Sequence, residues 1–429
     1  MAQTATFWGC AVKRTVPSLS KLCYKSFTMK KQSLLLLVIL LSALLTAVNA
    51  VFAQTWTQTS APTSHWWSVA SSADGTKLAA VTDLSIYTST NSGATWISNN
   101  APLLSWQSVA SSADGSKLVA VAWKNGPIYT STNSGATWTL TSAPNNYWCS
   151  VASSADGTRL VAAATDAGDK QIYTSTNSGS TWTKTSAPQG EWTSVASSAD
   201  GCKLVAASRV FPPAYSSWIY TSTNSGVTWT PSAGPSSAKW NSVASSADGA
   251  RLVAVNFGGG VYTSTNSGDT WTTSSLPPNS SWYAAASSAD GTKLIVVAQK
   301  GLIYTSTNSG TSWISNGVPG SSLLQQWQSV ASSADGSKLA AGAANTSRGA
   351  IWTSQTTPAP GLNITKSNGN LALWWIVPAT NFVLQQNSDL RTANWTNVTN
   401  TLTLNLTNLQ NQISLPLPAG NAFYRLKTP

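Results

Sequence analysis

Charge is what this chain has least of. Of its 429 residues only 9% are Asp, Glu, Lys or Arg, well below the quarter or so usual in globular proteins. It has 13 acidic residues, one histidine, two methionines and four cysteines. So few acids leave little from which to assemble a hydrolytic site. No Cys or His spacing suits a metal, and no cofactor of any kind is expected. The cysteines do not form a disulfide framework either, because Cys149 and Cys202 sit at non-equivalent places in the chain's repeats and are expected as thiols. What the sequence does have is 42% hydrophobic residues with 22 Trp, set among Ser, Thr, Ala, Asn and Gly. That is enough to bury a core, and it excludes disorder across the whole chain. It is a β-rich composition of extracellular type.

The formal net charge of +11 invites a nucleic-acid reading, but six of the 24 basic residues lie in the first 53, which contain no acid. The remaining 18 against 13 acids give +5. Seven of those 18 follow an Asp by three residues in one repeated turn, so no basic stripe forms and nucleic acid is excluded as a partner. Met29-Lys30-Lys31, the apolar run 34–47 and the small-residue exit ending at Ala53 have the three parts of a secretory signal peptide. Cleavage after Ala53 leaves no stable membrane span and places the protein in the periplasm, at the cell surface or outside the cell. Residues 1–28 are then a mis-assigned extension ahead of a start at Met29.

Self-comparison gives the unit W-x-S-V-A-S-S-A-D-G-x-K-L, a variable stretch, I-Y-T-S-T-N-S-G-x-T-W and a second variable stretch, seven times over. The turn Asp is Asp74, Asp114, Asp156, Asp200, Asp248, Asp290 and Asp335, with periods of 40, 42, 44, 48, 42 and 45 residues. Periods of that size belong to propellers and solenoids. Each unit reads as four short strands, which makes a propeller blade. Asp-Gly predicts a type I′ turn between the first two, with both residues at positive φ. The Asp and the Lys or Arg three residues on are expected to flank that turn as an exposed pair. The seventh unit breaks off after Ile351-Trp352-Thr353-Ser354, and Thr55-Trp56-Thr57 at the other end supplies its missing fourth strand. The expected fold is therefore all-β, a seven-bladed β-propeller over residues 54–357 whose last blade is closed by the N-terminal strand. A linker at 358–361 then leads to a β-sandwich over 362–429. That module shows alternating strands such as Leu371-Ala372-Leu373-Trp374-Trp375 and Phe423-Tyr424-Arg425-Leu426.

The S-T-N-S-G-x-T-W segments, from Ser89–Trp96 to Ser306–Trp313, resemble the Asp-box or BNR repeat of sialidase-like propellers, xyloglucan-degrading enzymes, sortilin-type receptors and photosystem II assembly factors. The resemblance implies the propeller fold and a structural hairpin at each box, with Asn91, Asn133, Asn177, Asn224, Asn266 and Asn308 in place of the usual Asp. It implies no single chemistry, because those proteins share the turn and not the reaction. The tail ending in F-Y-R-L resembles short sandwich modules of secreted proteins from Verrucomicrobia-type bacteria.

Within the repeats the two hairpins have fixed length, while the connections from second to third strand and from one unit to the next vary. Both emerge on one face, where a rigid scaffold carries functional loops. The candidates for ligand binding there are Trp123, Lys124, Arg209, Phe211, Tyr215, Trp218 and Arg348, with Arg209 to Trp218 the longest insertion. The seven first-strand tryptophans, Trp66, Trp106, Trp148, Trp192, Trp240, Trp282 and Trp327, are read as structural plugs between blades rather than as platforms for sugar rings. Asp166 or Asp169 with Glu191 is the one carboxylate pair that a two-carboxylate glycosidase could use. The reading favoured is an exported, non-enzymatic, monomeric binding or scaffold protein for a carbohydrate or protein ligand. The alternative is a polysaccharide-active glycoside hydrolase of sialidase-like or xyloglucanase-like type.

Overall fold

The computed structural model describes residues 56–165, 169–209, 218–234, 239–278, 280–318, 325–344, 349–355, 362–367, 370–376, 383–389, 394–400, 402–405, 410–418, 420 and 422–427. The export segment, the linker 358–361, Asp166, Phe211, Tyr215 and Arg348 lie outside them. The chain divides into two units, Met1–Ala53 and Gln54–Pro429, and every described residue belongs to the second. No helix occurs among the described residues, so none is long and apolar enough to cross a membrane.

The repeats fold into four-stranded antiparallel sheets of a β-propeller. In one of them Trp148–Ser153, Leu160–Ala164, Ile172–Ser175 and Thr183–Lys184 pair in that order. Five such sheets are separate. Two more merge into an eight-stranded sheet, because the long strand Leu252–Gly259 also pairs with Ser280–Ser287 of the next repeat, at Phe257 with Ser281 and Gly259 with Ser280. The last repeat, Trp327–Ser332, Lys338–Ala343 and Ile351–Gln355, takes Trp56–Gln58 as its fourth strand, with Trp56 opposite Ser354. Joining the two ends in one sheet removes an open edge.

The first strand of each repeat lies innermost, against its counterparts in the two adjoining repeats. At the A-D-G end these strands are tied by a closed cycle of backbone hydrogen bonds. Ala73 N–H donates to Ala113 C=O, and the series continues through Ala155, Ala199, Ala247 and Ala289 to Ala334, whose N–H returns to Ala73 C=O, every bond 2.7–2.8 Å. Between adjoining sheets lies the core. Trp192, Val195, Leu204 and Ala206 of one repeat pack on Val161, Ala163 and Ile172 of the one before. The first-strand tryptophans Trp66, Trp106, Trp148, Trp192, Trp240, Trp282 and Trp327 are all 0–1% exposed. Six of them meet the third-strand Tyr of their own repeat edge-to-face at 5.3–5.7 Å, a preferred aromatic geometry. No ring face is left on which a sugar could stack.

The A-D-G turn differs from the type I′ hairpin expected of Asp-Gly. Only the glycine has positive φ, Gly75 at 66°. The loop is longer, closed by Ser72 N–H to Lys77 C=O at 2.8 Å. The Asp74 carboxylate holds it from inside, accepting from Ser72 Oγ, Thr76 N–H and Thr76 Oγ1. Burial pushes this carboxyl up, but those bonds outweigh it and hold Asp74 below the ordinary value of 3.8. The cation three residues on does not pair with its own Asp. Its stem lies over the glycine of the next repeat's turn, Lys77 over Gly115, Arg159 over Gly201 and, closing the cycle, Lys338 over Gly75. The guanidinium of Arg159 donates to Asp200 C=O at 2.9 Å. The residue thus fastens neighbouring sheets instead of decorating one hairpin.

In the N-S-G turns the asparagine is structural. Asn177 Oδ1 accepts from Thr181 N–H at 2.9 Å, its Nδ2 donates to Thr181 Oγ1 at 2.8 Å, and Ser178 takes φ of 56°. The C-terminal residues form two further sheets, Asn363–Ser367, Asn370–Ile376, Gln410–Pro416 and Thr403–Asn405 in one and Thr396–Asn397, Val383–Asn387 and Phe423–Lys427 in the other. Leu373, Trp375, Ile413 and Leu415 of the first meet Leu384 of the second in one core.

Candidate binding site

The innermost strands enclose a cavity of about 310 Å³ near the variable-loop face. That is the lower end of the range for ligand sites. Its wall comes from the residue after each structural tryptophan: Trp67, Gln107, Cys149, Thr193, Asn241, Tyr283 and Gln328. The cause is local. In six repeats the pairing of first and second strand slips between the tryptophan and the residue two on, as between Trp148 and Ser150, so the residue between them is an unpaired bulge. A bulge re-aims a side chain. The tryptophan goes into the gap between sheets, and its successor lines the channel.

Just below runs a ring of serines. Ser68 Oγ accepts from Val109 N–H at 3.2 Å, and Ser108, Ser150, Ser194, Ser242 and Ser329 do the same for Val151, Val195, Val243, Ala285 and Val69 at 3.0–3.2 Å. These six inward-facing amides are thereby satisfied by the preceding repeat, as buried backbone donors require.

Of the residues proposed from sequence, Trp123, Glu191 and Arg209 come together on this wall. Trp123 packs edge-to-face on Tyr147 at 5.6 Å. Glu191 is paired with Lys170 and accepts from Thr165 Oγ1 at 3.0 Å. Arg209 donates through Nη2 to Asn241 Oδ1, while its buried Nε has no hydrogen-bond partner among the described residues. Asn241 in turn donates to Trp282 C=O at 2.9 Å. Tyr283 lies near enough to Arg209 to feel its charge; burial pushes the phenol up, and the guanidinium opposes that.

Lys124, Asp169 and Trp218 do not line the cavity. Lys124 is exposed at φ of 58°. Trp218 C=O accepts from Ser208 N–H at 3.1 Å, and Trp218 N–H donates to Ser208 Oγ at 3.2 Å. Asp169 is held by Tyr173 Oη and Asn146 Nδ2, both at 2.7 Å, and by Lys184 at 3.3 Å. Burial raises its carboxyl and these donors more than reverse the rise, while burial and the same contact push Tyr173 to about 12. Asp169 and Glu191 are thus each committed to a lysine. Among the described residues no three His, Cys, Asp or Glu are grouped to hold a metal ion.

The channel residues themselves, above all Trp67, Asn241 and Tyr283, are not among the candidates that loop length singles out. A signal for them is present in the sequence: in W-x-S-V-A-S-S the x is the one position inside a constant strand that differs in nearly every repeat.

Neither a family model nor a curated protein matches this chain. Solved structures do. YCF48 from Cyanidioschyzon merolae is 16% identical with a TM-score of 0.55, over 70% of this chain and 99% of that one. A structure of YCF48 bound to D1 peptide is 15% identical with a TM-score of 0.53, over 71% and 97%. Kuenenia stuttgartiensis hydrazine synthase is 13% identical with a TM-score of 0.56, over 70% and 98%. At such identities the likeness is one of fold.

Proposed function

We propose that this chain is an exported, non-enzymatic, seven-bladed propeller that captures a protein ligand at the mouth of its central channel and serves as a scaffold. One observation carries the reading: in a fold built from near-identical repeats, symmetry is broken where side chains face the cavity. Packing alone asks for the same residue in every repeat, as the seven buried tryptophans are the same. A wall of Trp67, Gln107, Cys149, Thr193, Asn241, Tyr283 and Gln328 instead offers an irregular set of rings, amides and hydroxyls, which is how a surface specifies one partner. The YCF48 likeness supports a protein ligand over a carbohydrate, since one of those structures contains a bound peptide. The lysine-bound states of Asp169 and Glu191 weigh against the hydrolase alternative, which needs one carboxyl free to protonate and another free to attack.

The test is capture of short peptides and of polysaccharides by the purified chain, with release of reducing ends followed in the same wells. Peptide capture without release, lost in Tyr283→Ala and Trp67→Ala, is expected. Sugar release abolished by Glu191→Gln would replace this reading with hydrolysis.

A further inference from the structure

Six of the seven inward amides are capped by a serine of the preceding repeat; the seventh is not. Where the others carry Ser68, Ser108, Ser150, Ser194, Ser242 and Ser329, the sixth repeat has Ala284. The amide it should serve is that of Val330. Val330 stands opposite Ala341 in the register that Val69 keeps with Ala80, so its N–H also turns away from its own sheet and toward the channel. Val330 is 7% exposed and lines the cavity with Ala284, and among the described residues no serine hydroxyl serves its N–H as Ser329 serves that of Val69. A backbone donor that its neighbour does not cap is open to another acceptor.

A second donor lies on the same wall, the buried Nε of Arg209. Both groups donate, and one is cationic. Glu191, the acid facing this cavity among the described residues, is engaged by Lys170 and Thr165.

We propose that the channel mouth is an acceptor seat, in which the Val330 N–H exposed by Ala284 and the Arg209 guanidinium take a peptide carboxylate. This rests on the protein-binding reading and names the group that is bound. A carboxylate supplies several acceptor lone pairs and the matching charge, and it can come from a chain terminus or from an acidic side chain.

Ala284→Ser is the decisive variant. Six repeats already hold serine there, so it is expected to fold with an unchanged or higher melting temperature. Its hydroxyl should cap the Val330 amide and fill the seat. In the unliganded full-length protein, the Val330 amide should exchange about tenfold faster than that of Val243, and Ala284→Ser should remove the difference. Hexapeptides with a free C-terminus, with the same C-terminus amidated, and with an internal glutamate are the binding probes. Capture of either acidic class, weakened about tenfold or more in both Ala284→Ser and Arg209→Gln, is expected, and the class captured identifies the source of the carboxylate. Equal exchange at Val330 and Val243, or undiminished capture by Ala284→Ser, overturns the seat and leaves protein binding standing. Capture of neutral peptides alone overturns the carboxylate, and capture of none overturns the protein ligand with it.

Discussion

The two ends of the propeller solve opposite problems with the same strands. At the A-D-G end every repeat does the same thing: an alanine amide reaches the next alanine carbonyl, an aspartate wraps its own turn, and a lysine or arginine stem covers the neighbour's glycine. At the other end the same strands begin with a bulge, and the residue it releases differs in nearly every repeat. The lesson is that one end fastens its sheets identically in every repeat, whereas the other end varies, and only some of its variable side chains, Cys149, Thr193 and Asn241, reach the tryptophan carbonyl of the next repeat. Trp66 and Trp67 state the contrast in two adjacent residues. The first is 0% exposed between sheets, and the second lines the channel with its Nε1 on Asp83 at 2.7 Å.

That pair offers the sharpest way to break the comparison. Trp66→Ala removes a fully buried ring from the gap between its own sheet and that of the last repeat, and should cost about 3–5 kcal/mol in denaturant unfolding. Trp67→Ala loses one exposed hydrogen bond, an edge contact with His65 and partial packing on the core beside Val81 and Trp106. It should cost about 1–2 kcal/mol yet abolish peptide capture. Equal losses of stability would mean that the channel ring is part of the core, and the division between the two ends would fall.

A smaller effect separates two glycines. Gly201 sits at φ of 70°, and a Cβ there would lie 2.6 Å from Arg159 Cβ of the preceding repeat. Gly201→Ala must strain the backbone and push away the stem that fastens the two sheets, at about 1–3 kcal/mol. Gly190, at the entry to the same repeat on the open face, has ordinary φ, and its nearest neighbour would be 3.6 Å from an added Cβ. Gly190→Ala should change stability by less than about 0.5 kcal/mol. Thermal unfolding of both variants beside the parent tests the claim that the closed end is the tighter one.

Much of this architecture is legible because it is written seven times. The period, the buried tryptophans and the loan of Trp56 to the last sheet all follow from comparing one repeat with another. The A-D-G turn departs from the hairpin that Asp-Gly favours by itself. What selects the longer loop is Ser72, whose hydroxyl contacts both Asp74 Oδ1 and Lys77 N–H, and that serine lies outside the dipeptide. Pairing Asp74 with Lys77 fails for a related reason: a cation three residues on is near in sequence, but the ring brings the neighbour's turn nearer in space. Most of the cavity wall lies in a layer that loop length does not reach. Loops are visible as length variation, whereas Tyr283 and Asn241 reach the channel through a bulge, and no count of residues between landmarks reveals one. Ala284 is the hardest to see, since Ser→Ala in one repeat of seven matters only once the neighbour's amide is known to need that hydroxyl.

The smallest effect concerns acid. At the closed end the Asp74, Asp114, Asp156, Asp200 and Asp248 carboxyls are raised by burial but lowered further by hydrogen bonds within their turns, and all lie below 3.8. A carboxyl lower in the folded than in the unfolded chain contributes stability that is present in full above its unfolded value and is lost as pH falls through the folded one. The melting temperature should therefore hold from neutral pH down to about 4 and fall below it. Asp200→Asn keeps the acceptor that Ser198 Oγ and Cys202 N–H use, at 2.6 and 2.9 Å, while removing the charge. It should lower the melting temperature slightly at neutral pH and flatten the acid limb. Asp169, also lowered but set on the open face and paired with a half-exposed Lys184, belongs to one repeat only. Asp169→Asn should flatten the same limb without loosening any contact between sheets. If it lowers the neutral-pH melting temperature more than Asp200→Asn does, the variable face is fastened by its charges after all, and the contrast between the two ends is one of sequence alone.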